Sequence, residues 1–222
     1  MNIQSFKSLI IKYSIGTLGL ALVAIGVALS IKSDLGTAPV SCPPYVASLI
    51  GGFNFMGFHV GTVGQYTMLM HMIFILLQIA MLRGKFKVSH LMQIPAAIVF
   101  GLLTDLAIWA FNWIEADTYS IRLLLMVLSI FLTALGISLE VAGKAWMLAA
   151  EMTNSAMSEC FGIKFSNAKI SFDIFLVAIS ALTAWICFGN LLGNGTETII
   201  REGTLISALF TGLCIKFTDK II

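Results

Sequence analysis

Apolar residues are gathered into six long runs that alternate with short polar or broken segments. A helix needs about 20 predominantly apolar residues to cross the hydrocarbon core of a bilayer, and the runs approach or exceed that length. The six runs are 11–31, 59–82, 89–113, 120–141, 167–188 and 203–217. The pattern therefore predicts an all-α, polytopic membrane helix bundle with about six spans.

Two segments interrupt this series and are unsuited to ordinary spans. Residues 32–58 contain three prolines, and residues 142–165 carry several charged and amide side chains. Irregular backbone is tolerated at membrane depth only where it is buried in protein or lines water. Each half is therefore predicted to hold one short broken segment, and a re-entrant, spanning or interfacial position stays open for both.

The positions of lysine and arginine indicate how the spans are oriented. Cytoplasmic loops of membrane proteins are enriched in these two residues. With the amino terminus in the cytoplasm and neither broken segment crossing, ten of the thirteen lie on the cytoplasmic side. The three outside are Lys32, Arg122 and Arg201. This distribution predicts a multi-pass protein whose two termini are both cytoplasmic.

The chain also carries a weak internal repeat. Residues 26–29 (Gly-Val-Ala-Leu) match residues 136–139 (Gly-Ile-Ser-Leu) 110 positions later. At the same offset, the pairs in the two broken segments are Ser41 with Glu151, Ser48 with Ser158 and Gly52 with Gly162. Because each half holds an odd number of spans, the single transmembrane domain 1–222 is predicted to consist of two inverted three-helix repeats, 11–114 and 119–222.

A polar stripe marks the second broken segment. Glu151, Asn154, Ser155 and Ser158 follow the spacing i, i+3, i+4, i+7, which places them on one face of a helix. One interpretation is a cavity wall that offers a carboxylate and neutral hydrogen-bonding groups to an ion or polar solute. The alternative is an interfacial helix whose polar face lies in water.

The first broken segment offers a counterpart to this stripe. Pro43 and Pro44 suit the first turn of a helix, where the N–H that proline lacks is unpaired anyway. Tyr45 and Ser48 then share one face, and Ser41 lies just before the helix. These three residues are predicted to line the same cavity. The alternative is an external loop followed by a short surface helix.

A few polar residues fall inside the apolar runs. Asp105 and Asp173 are acids within predicted spans, and such acids are functional candidates by default because they are costly in a membrane. His71, with Gln65 close by on the second span, could relay protons, since an imidazole titrates near neutral pH. The alternatives are a structural ion pair for the acids and interhelical hydrogen bonds for His71 and Gln65.

Composition excludes several functional classes. A charged fraction of 11% and a net charge of +2 give no basic surface for nucleic acid. The four cysteines and three histidines show no metal-ligand spacing, and motifs such as HExxH or GxSxG are absent. The sequence therefore predicts no metal, no cofactor and no enzyme, and the lipid bilayer is the one partner it identifies.

Short motifs in a consistent order connect the chain to a known family. They are Leu-Gly-Thr-Ala-Pro at 35–39, Pro-Tyr-Val at 44–46, Gln-Ile-Pro at 93–95, Asp105, Glu151, Asp173 and Arg-Glu-Gly-Thr at 201–204. With these motifs the sequence resembles the YczE/YyaS/YitT-type bacterial integral membrane proteins over nearly its whole length. Relatives often carry Pro-Gly-Glu where this chain has Ala-Ala-Glu at 149–151. The resemblance implies a bacterial inner-membrane protein of the permease kind and implies no substrate.

Together these features predict a small secondary transporter or permease for a small polar solute or ion. The predicted cavity residues are Glu151, Asn154, Ser155, Ser158, Ser41, Tyr45 and Ser48, and the predicted coupling or intramembrane polar residues are Asp105, Asp173, His71 and Gln65. The alternative is a non-transporting accessory, regulatory or assembly protein of the membrane. Substrate, coupling ion and oligomeric state stay open.

Overall fold

A computed structural model of the chain describes residues 3–55, 57–143 and 147–218. This part of the chain contains eight α-helices and one small β-hairpin. The elements are α1 (Ile3–Lys32), α2 (Cys42–Ile50), β1 (Phe53–Phe55), β2 (Phe58–Val60), α3 (Val63–Leu82), α4 (Gln93–Ala110), α5 (Tyr119–Gly143), α6 (Ala149–Phe161), α7 (Phe165–Phe188) and α8 (Glu202–Thr218). The predicted all-α helix bundle is thereby confirmed.

Five helical segments of the described residues are long and apolar enough to cross a membrane. They are Ile10–Lys32, Val63–Lys85, Val88–Ala110, Tyr119–Gly143 and Phe165–Phe188. The sixth predicted run corresponds to α8, which has 17 residues. These helices identify the chain as a membrane protein that contacts the lipid bilayer.

The second predicted run begins too early. Its first residues belong to the β-hairpin, in which Asn54 pairs with His59, and the helix starts only at Val63. A capping box explains this start, because Thr62 Oγ1 accepts a hydrogen bond from the backbone of Gln65, whose side chain accepts from the backbone of Thr62. Hydropathy alone does not register such a cap.

The long helices alternate in direction between two ends of the bundle. Lys32 Nζ donates to Asn112 Oδ1 at 2.9 Å, so α1 and α4 finish together. Asp34 pairs with Arg122 at 2.6 Å, so α5 begins there. Gly203 N donates to the carbonyl of Leu35 at 2.8 Å, so α8 also begins there. We call this end the Asp34 end, and the other, where Lys85 pairs with Glu159, the Lys85 end.

The two short helices both begin inside the bundle and finish at one of its ends. Helix α2 starts at the buried Cys42 and finishes at the Asp34 end, where Tyr66 Oη donates to the carbonyl of Gly51. Helix α6 starts at the buried Ala149 and finishes at the Lys85 end. Each connection therefore enters the bundle from one end and returns to that end.

Helices α1 and α5 cross at close range in the centre of the bundle. Gly19 and Gly136 lie at the crossing, and a Cβ built on either would fall within 2.7 Å of the carbonyl oxygen of the other. Small residues allow such close approach between membrane helices. Around the crossing, Leu20, Ala24 and Phe100 form part of a buried apolar core.

Replacing Gly136 by Val is expected to destabilise the protein strongly. The new Cβ would lie 2.6 Å from the Gly19 carbonyl oxygen and 2.7 Å from Val23 Cγ2, and overpacking of this kind costs about 1–3 kcal/mol or more. Thermal unfolding in detergent measures the effect. Gly84→Val is the matched control, because no heavy atom lies within 4 Å of the corresponding position. Equal losses in both variants would contradict the close crossing.

Candidate functional site

A cavity lies at the centre of the bundle, between the two halves of the chain. The cavity volume is about 60 Å³, and one water needs roughly 10–15 Å³. About four to six waters, or a solute of similar size, therefore fit. The walls come from α1, α3 and α4 of the first half, from α5, α7 and α8 of the second, and from the starts of both short segments.

Most cavity-lining positions of the first half have a counterpart in the second half at a regular spacing along the chain. Along α1, α5 and the short segments the spacing is 110, with the pairs 23/133, 27/137, 38/148, 40/150 and 41/151. In the remaining helices the spacing is 102 for 67/169 and 71/173, and 107 for 100/207 and 104/211. Both halves of the chain thus contribute to the same space.

Of the predicted polar stripe on α6, only Glu151 lines the cavity. Its Oε2 atom is buried and has no hydrogen-bond partner among the described residues. Asn154 is a buried residue of α6, Ser155 is exposed, and Ser158 Oγ donates to the Ile163 carbonyl at 2.6 Å, closing the end of the helix. The four residues therefore lie in different environments, and the cavity touches only the first turn of α6.

The predicted cavity residues of the first broken segment also lie in different places. Ser41 lines the cavity, whereas Tyr45 Oη donates to Glu197 Oε2 at 2.7 Å. Ser48 Oγ donates to the Tyr45 carbonyl at 2.7 Å. Burial and the bond to Glu197 raise the pKa of Tyr45 well above its usual value. Tyr45 and Ser48 thus close the Asp34 end of the protein.

His71 and Asp173 both line the cavity. His71 is fully buried, its ring stacks on Phe100 with centroids 5.6 Å apart, and neither ring nitrogen has a partner in the described structure. Asp173 Oδ2 accepts a hydrogen bond from Lys169 Nζ at 2.9 Å, while Oδ1 lacks a partner among the described groups. These are the coupling candidates that the structure brings beside Glu151.

Asp105 and Gln65 lie apart from the cavity and secure the start of α3. Asp105 accepts hydrogen bonds from Thr62 Oγ1 at 2.6 Å and from the Gly64 backbone at 2.7 Å. Gln65 Oε1 accepts from the backbones of Gly61 and Thr62. Both residues therefore have structural roles near the Asp34 end.

Sequence reasoning missed two ionisable residues of this region. Lys169 lines the cavity, although it counts toward the cytoplasmic charge. Glu140 is only 2% exposed near the end of α5 and accepts a backbone hydrogen bond from Leu148, and its Oε1 has no partner within the described chain. The spacing of Lys169 and Asp173, i and i+4 within an apolar run, was the available signal for an ion pair.

The acids outnumber the bases around the cavity. Glu151 and Asp173 in the cavity wall and Glu140, which lies close to Glu151 outside it, would carry three negative charges when ionised, against one positive charge on Lys169. Burial raises the pKa of Glu151, with Asp173 adding to this shift and Lys169 opposing it. Uncompensated buried charge is costly, so the cluster favours taking up protons or another source of positive charge.

The raised pKa of Glu151 predicts that the stability of the protein depends on pH. Its contribution is fully present below the ordinary Glu value of about 4.5 and is lost as pH rises through the folded-state pKa. Glu151→Gln should therefore flatten the fall in melting temperature as pH rises above about 4.5, with Glu140, Lys169, Asp173 and His71 unchanged in both proteins. Parallel curves for the wild type and this variant would contradict the shift.

A buried amide pair holds the start of α6 in place. Gln78 Nε2 lies 2.9 Å from Gln93 Oε1, 3.0 Å from the Ala149 carbonyl oxygen and 3.1 Å from Thr153 Oγ1. Gln93 Nε2 donates back to Gln78 Oε1 at 2.9 Å. The network therefore ties α3 and α4 to the turn that carries Glu151.

Replacing Gln78 by Leu is expected to lower stability by about 1–3 kcal/mol, because the buried amide of Gln93 loses its partner. The double variant Gln78→Leu/Gln93→Leu should lose less than the sum of the two single variants. Chemical unfolding of the four proteins in detergent completes this cycle. Additive losses would show that the two amides do not act as a pair.

No three His, Cys, Asp or Glu side chains in the described ranges stand close enough to hold a metal ion. No disulfide bond joins the cysteines of the described structure, and burial raises the pKa of the Cys42 thiol to about 12. Cys42 is therefore a poor nucleophile.

Comparison with known proteins identifies the family and nothing more specific. A family model described as a family of unknown function (DUF6198) matches residues 10–220. No curated protein matches the chain, and no solved structure matches it either. The function must therefore be argued from the cavity and its residues.

Proposed function

We propose that this chain, which belongs to the DUF6198 family of unknown function, is a proton-coupled secondary transporter of a small polar solute or ion. The observation that carries the proposal is the central cavity, where Glu151, Asp173 and His71 all have polar atoms without a partner in the described structure. A buried polar group without a partner is costly. Such groups around an open space are suited to a ligand that binds and leaves.

The proposed architecture has six spans in two inverted three-helix repeats. The opposite directions of α1 and α5 support inversion, since both occupy the same place in their halves. The paired cavity positions, such as 27/137 and 41/151, support an approximate twofold relation through the cavity. Inverted repeats with a binding site at their interface are a common plan among secondary transporters.

The two short segments fit the same plan as re-entrant elements. Each begins beside the cavity and returns to the end of the bundle from which it entered. Discontinuous helices whose starts face a central site are typical of transporters with inverted repeats. We therefore assign 32–58 and 142–165 as re-entrant segments, and Ser41 and Glu151 as their corresponding contributions to the site.

The Lys85 end is proposed to face the cytoplasm of a bacterium, with the protein in its inner membrane. Arg83, Lys85, Lys87 and Lys164 lie near this end along the chain, as the positive-inside rule expects. This orientation also places both termini in the cytoplasm. It agrees with the resemblance to the YczE/YyaS/YitT-type proteins, which we retain as part of the proposal.

Coupling would follow from competition for the acidic residues of the cavity. Glu151 and Asp173, with Glu140 close to Glu151, exceed Lys169 in charge, so the cavity is stable when it holds protons or a ligand that supplies hydrogen bonds or positive charge. A ligand that displaces protons on one side and leaves on the other exchanges solute for protons. His71 lines the same space, and neither of its ring nitrogens is bonded to a described residue.

Purified protein in proteoliposomes that contain a pH-sensitive dye tests the proposal. A gradient of a transported solute should move protons across the bilayer, and protein-free liposomes give the baseline. Small amines, amino acids, sugars and alkali-metal ions form the first panel. Absence of solute-driven proton movement throughout a broad panel would favour the alternative, a non-transporting accessory, regulatory or assembly protein.

A further inference from the structure

The hydrogen-bonding groups left open in the cavity are mainly acceptors. Glu151 Oε2 and Asp173 Oδ1 are carboxylate oxygens without a partner among the described residues, and a carboxylate accepts hydrogen bonds but donates none when ionised. Ser41 adds a hydroxyl to the same wall. The complementary ligand is therefore one that donates several hydrogen bonds.

The starts of the two short helices provide few backbone N–H donors that could bind an anion. Pro43 and Pro44 occupy the first turn of α2 and have no N–H. At the start of α6, the backbone N–H of Leu148 donates to Glu140, and that of Glu151 donates to its own carboxylate. Several of the N–H groups that bind anions at other helix starts are thus missing or already used.

Lys169 shows that an ammonium group can donate hydrogen bonds to the acids of this site. Its ammonium group lies 2.9 Å from Asp173 Oδ2, and the lysine and aspartate side chains are 19% and 3% exposed. An ammonium group carries three donors, and both Lys169 and Glu151 line the same cavity. The protein therefore already holds a primary ammonium ion of its own against one of the two acids.

Part of the remaining cavity wall is apolar, and the hydroxyls of Thr67, Thr104, Thr133, Ser207 and Thr211 make up much of the rest. Val23 and Val27 face the space from α1, Ile137 faces it from α5, and Leu148 faces it from the segment before α6. The apolar part suits hydrocarbon, and no group of three His, Cys, Asp or Glu side chains among the described residues could hold a metal ion. A short alkyl chain would fill the same space favourably.

We infer that the cavity binds a small primary alkylammonium ion, with its ammonium group between Glu151 and Asp173 and its alkyl chain against Val23, Val27 and Ile137. The inference rests on the proposed function, since it names the substrate class of the same site. The bound ligand takes over the hydrogen bonds of Lys169, which then turns away from Asp173. A ligand of about four to six non-hydrogen atoms, one for each water displaced, fits this space.

Two isomeric cations test the inference with the purified full-length protein. n-Butylammonium and tetramethylammonium have the same atoms and the same charge, but only the first has N–H donors. Their chlorides are compared by thermal shift and titration calorimetry at constant ionic strength. n-Butylammonium should raise the melting temperature, because a ligand that binds only the folded state stabilises it, and tetramethylammonium should not.

Variants locate the binding site. Glu151→Gln and Asp173→Asn should each weaken n-butylammonium binding about tenfold or more, as expected for loss of a charge-assisted hydrogen bond. Glu159→Gln, on the same helix but paired with Lys85 at the surface, should bind as the wild type does. Equal effects of the two cations, or undiminished binding by Glu151→Gln, would overturn the inference.

The binding result and the transport result can be told apart. Protein that moves protons with another class of solute but does not bind n-butylammonium overturns this inference and leaves the proposed transporter intact. Protein that binds n-butylammonium in the cavity but moves no protons with it or with any other solute supports the site and contradicts the transporter.

Discussion

Glu151→Gln is expected to abolish solute-driven proton movement in proteoliposomes while leaving the protein folded. The substitution keeps the shape of the side chain but removes its titratable proton and its negative charge. Glu151 is the cavity acid carried by α6, and its Oε2 has no partner among the described residues. We therefore expect a loss of at least about a hundredfold in initial rate, the upper range for one charged hydrogen bond.

Glu159→Gln is the matched control for this experiment. Glu159 lies on the same helix, two turns further along, and pairs with Lys85 at 2.8 Å on the surface. A surface ion pair contributes little to stability, so this variant should transport at the wild-type rate. Transport that survives in Glu151→Gln would remove Glu151 from the mechanism, provided that both variants reconstitute equally.

Lys169→Met is expected to have the largest effect on stability. Lys169 is the partner of the buried Asp173 at 2.9 Å, and it also offsets the charge of Glu151. Removing one partner of a buried ion pair costs about 3–5 kcal/mol, because the other charge is left without compensation. Unfolding followed by circular dichroism in detergent should show this loss near neutral pH.

Two further variants define the cause of that loss. The double variant Lys169→Met/Asp173→Asn should recover much of the stability, since it also removes the uncompensated carboxylate. Lys164→Met, at the exposed position before α7, should remain within about 0.5 kcal/mol of the wild type. A Lys169→Met protein as stable as the Lys164→Met protein would show that Lys169 does not neutralise the cavity.

The overall bundle could be predicted from the sequence because a bilayer constrains helices strongly. Every backbone polar group in the hydrocarbon core must be hydrogen-bonded within the helix. Long apolar runs therefore form helices whose ends lie close to the predicted ones. The predicted start of α3 was wrong because the true start depends on one side chain, Thr62. Its capping hydrogen bond with Gln65 has little effect on the hydropathy of the segment. Individual side chains determine where a helix begins and ends, whereas the average composition of a segment determines whether it can span the membrane.

The site was predicted only in part, since periodicity identifies a common face but not what that face contacts. On α6 the predicted stripe contains Glu151 at the cavity and Ser155 on the exposed side. Helix α6 is held between α3 and α7, so only its first turn reaches the centre. The direction of a short helix within the bundle is a tertiary property that its own sequence does not contain.

Glu140 and Lys169 were missed for a related reason. Both lie near the ends of apolar runs, where charged side chains usually extend to the membrane surface. The close crossing of α1 and α5 at Gly19, where an added Cβ would lie 3.0 Å from Glu140 Cγ, encloses Glu140 instead. Lys169 is retained inside by Asp173, and a count of charges for topology cannot show that partner.

A secondary transporter opens its cavity in turn to each side of the membrane, and thiol labelling shows whether this protein does so. Thr133 lines the cavity, so Thr133→Cys is placed in a chain whose four native cysteines are replaced by Ala. Glu159→Cys in the same background is the control and should react from the cytoplasmic side alone. A membrane-impermeant reagent is then applied to oriented vesicles from either side at several pH values.

Thr133→Cys is expected to react from both sides, with the ratio of the two rates shifting as protons load the cavity. Labelling from one side alone under every condition, or from neither side, would contradict alternating access and with it the transporter.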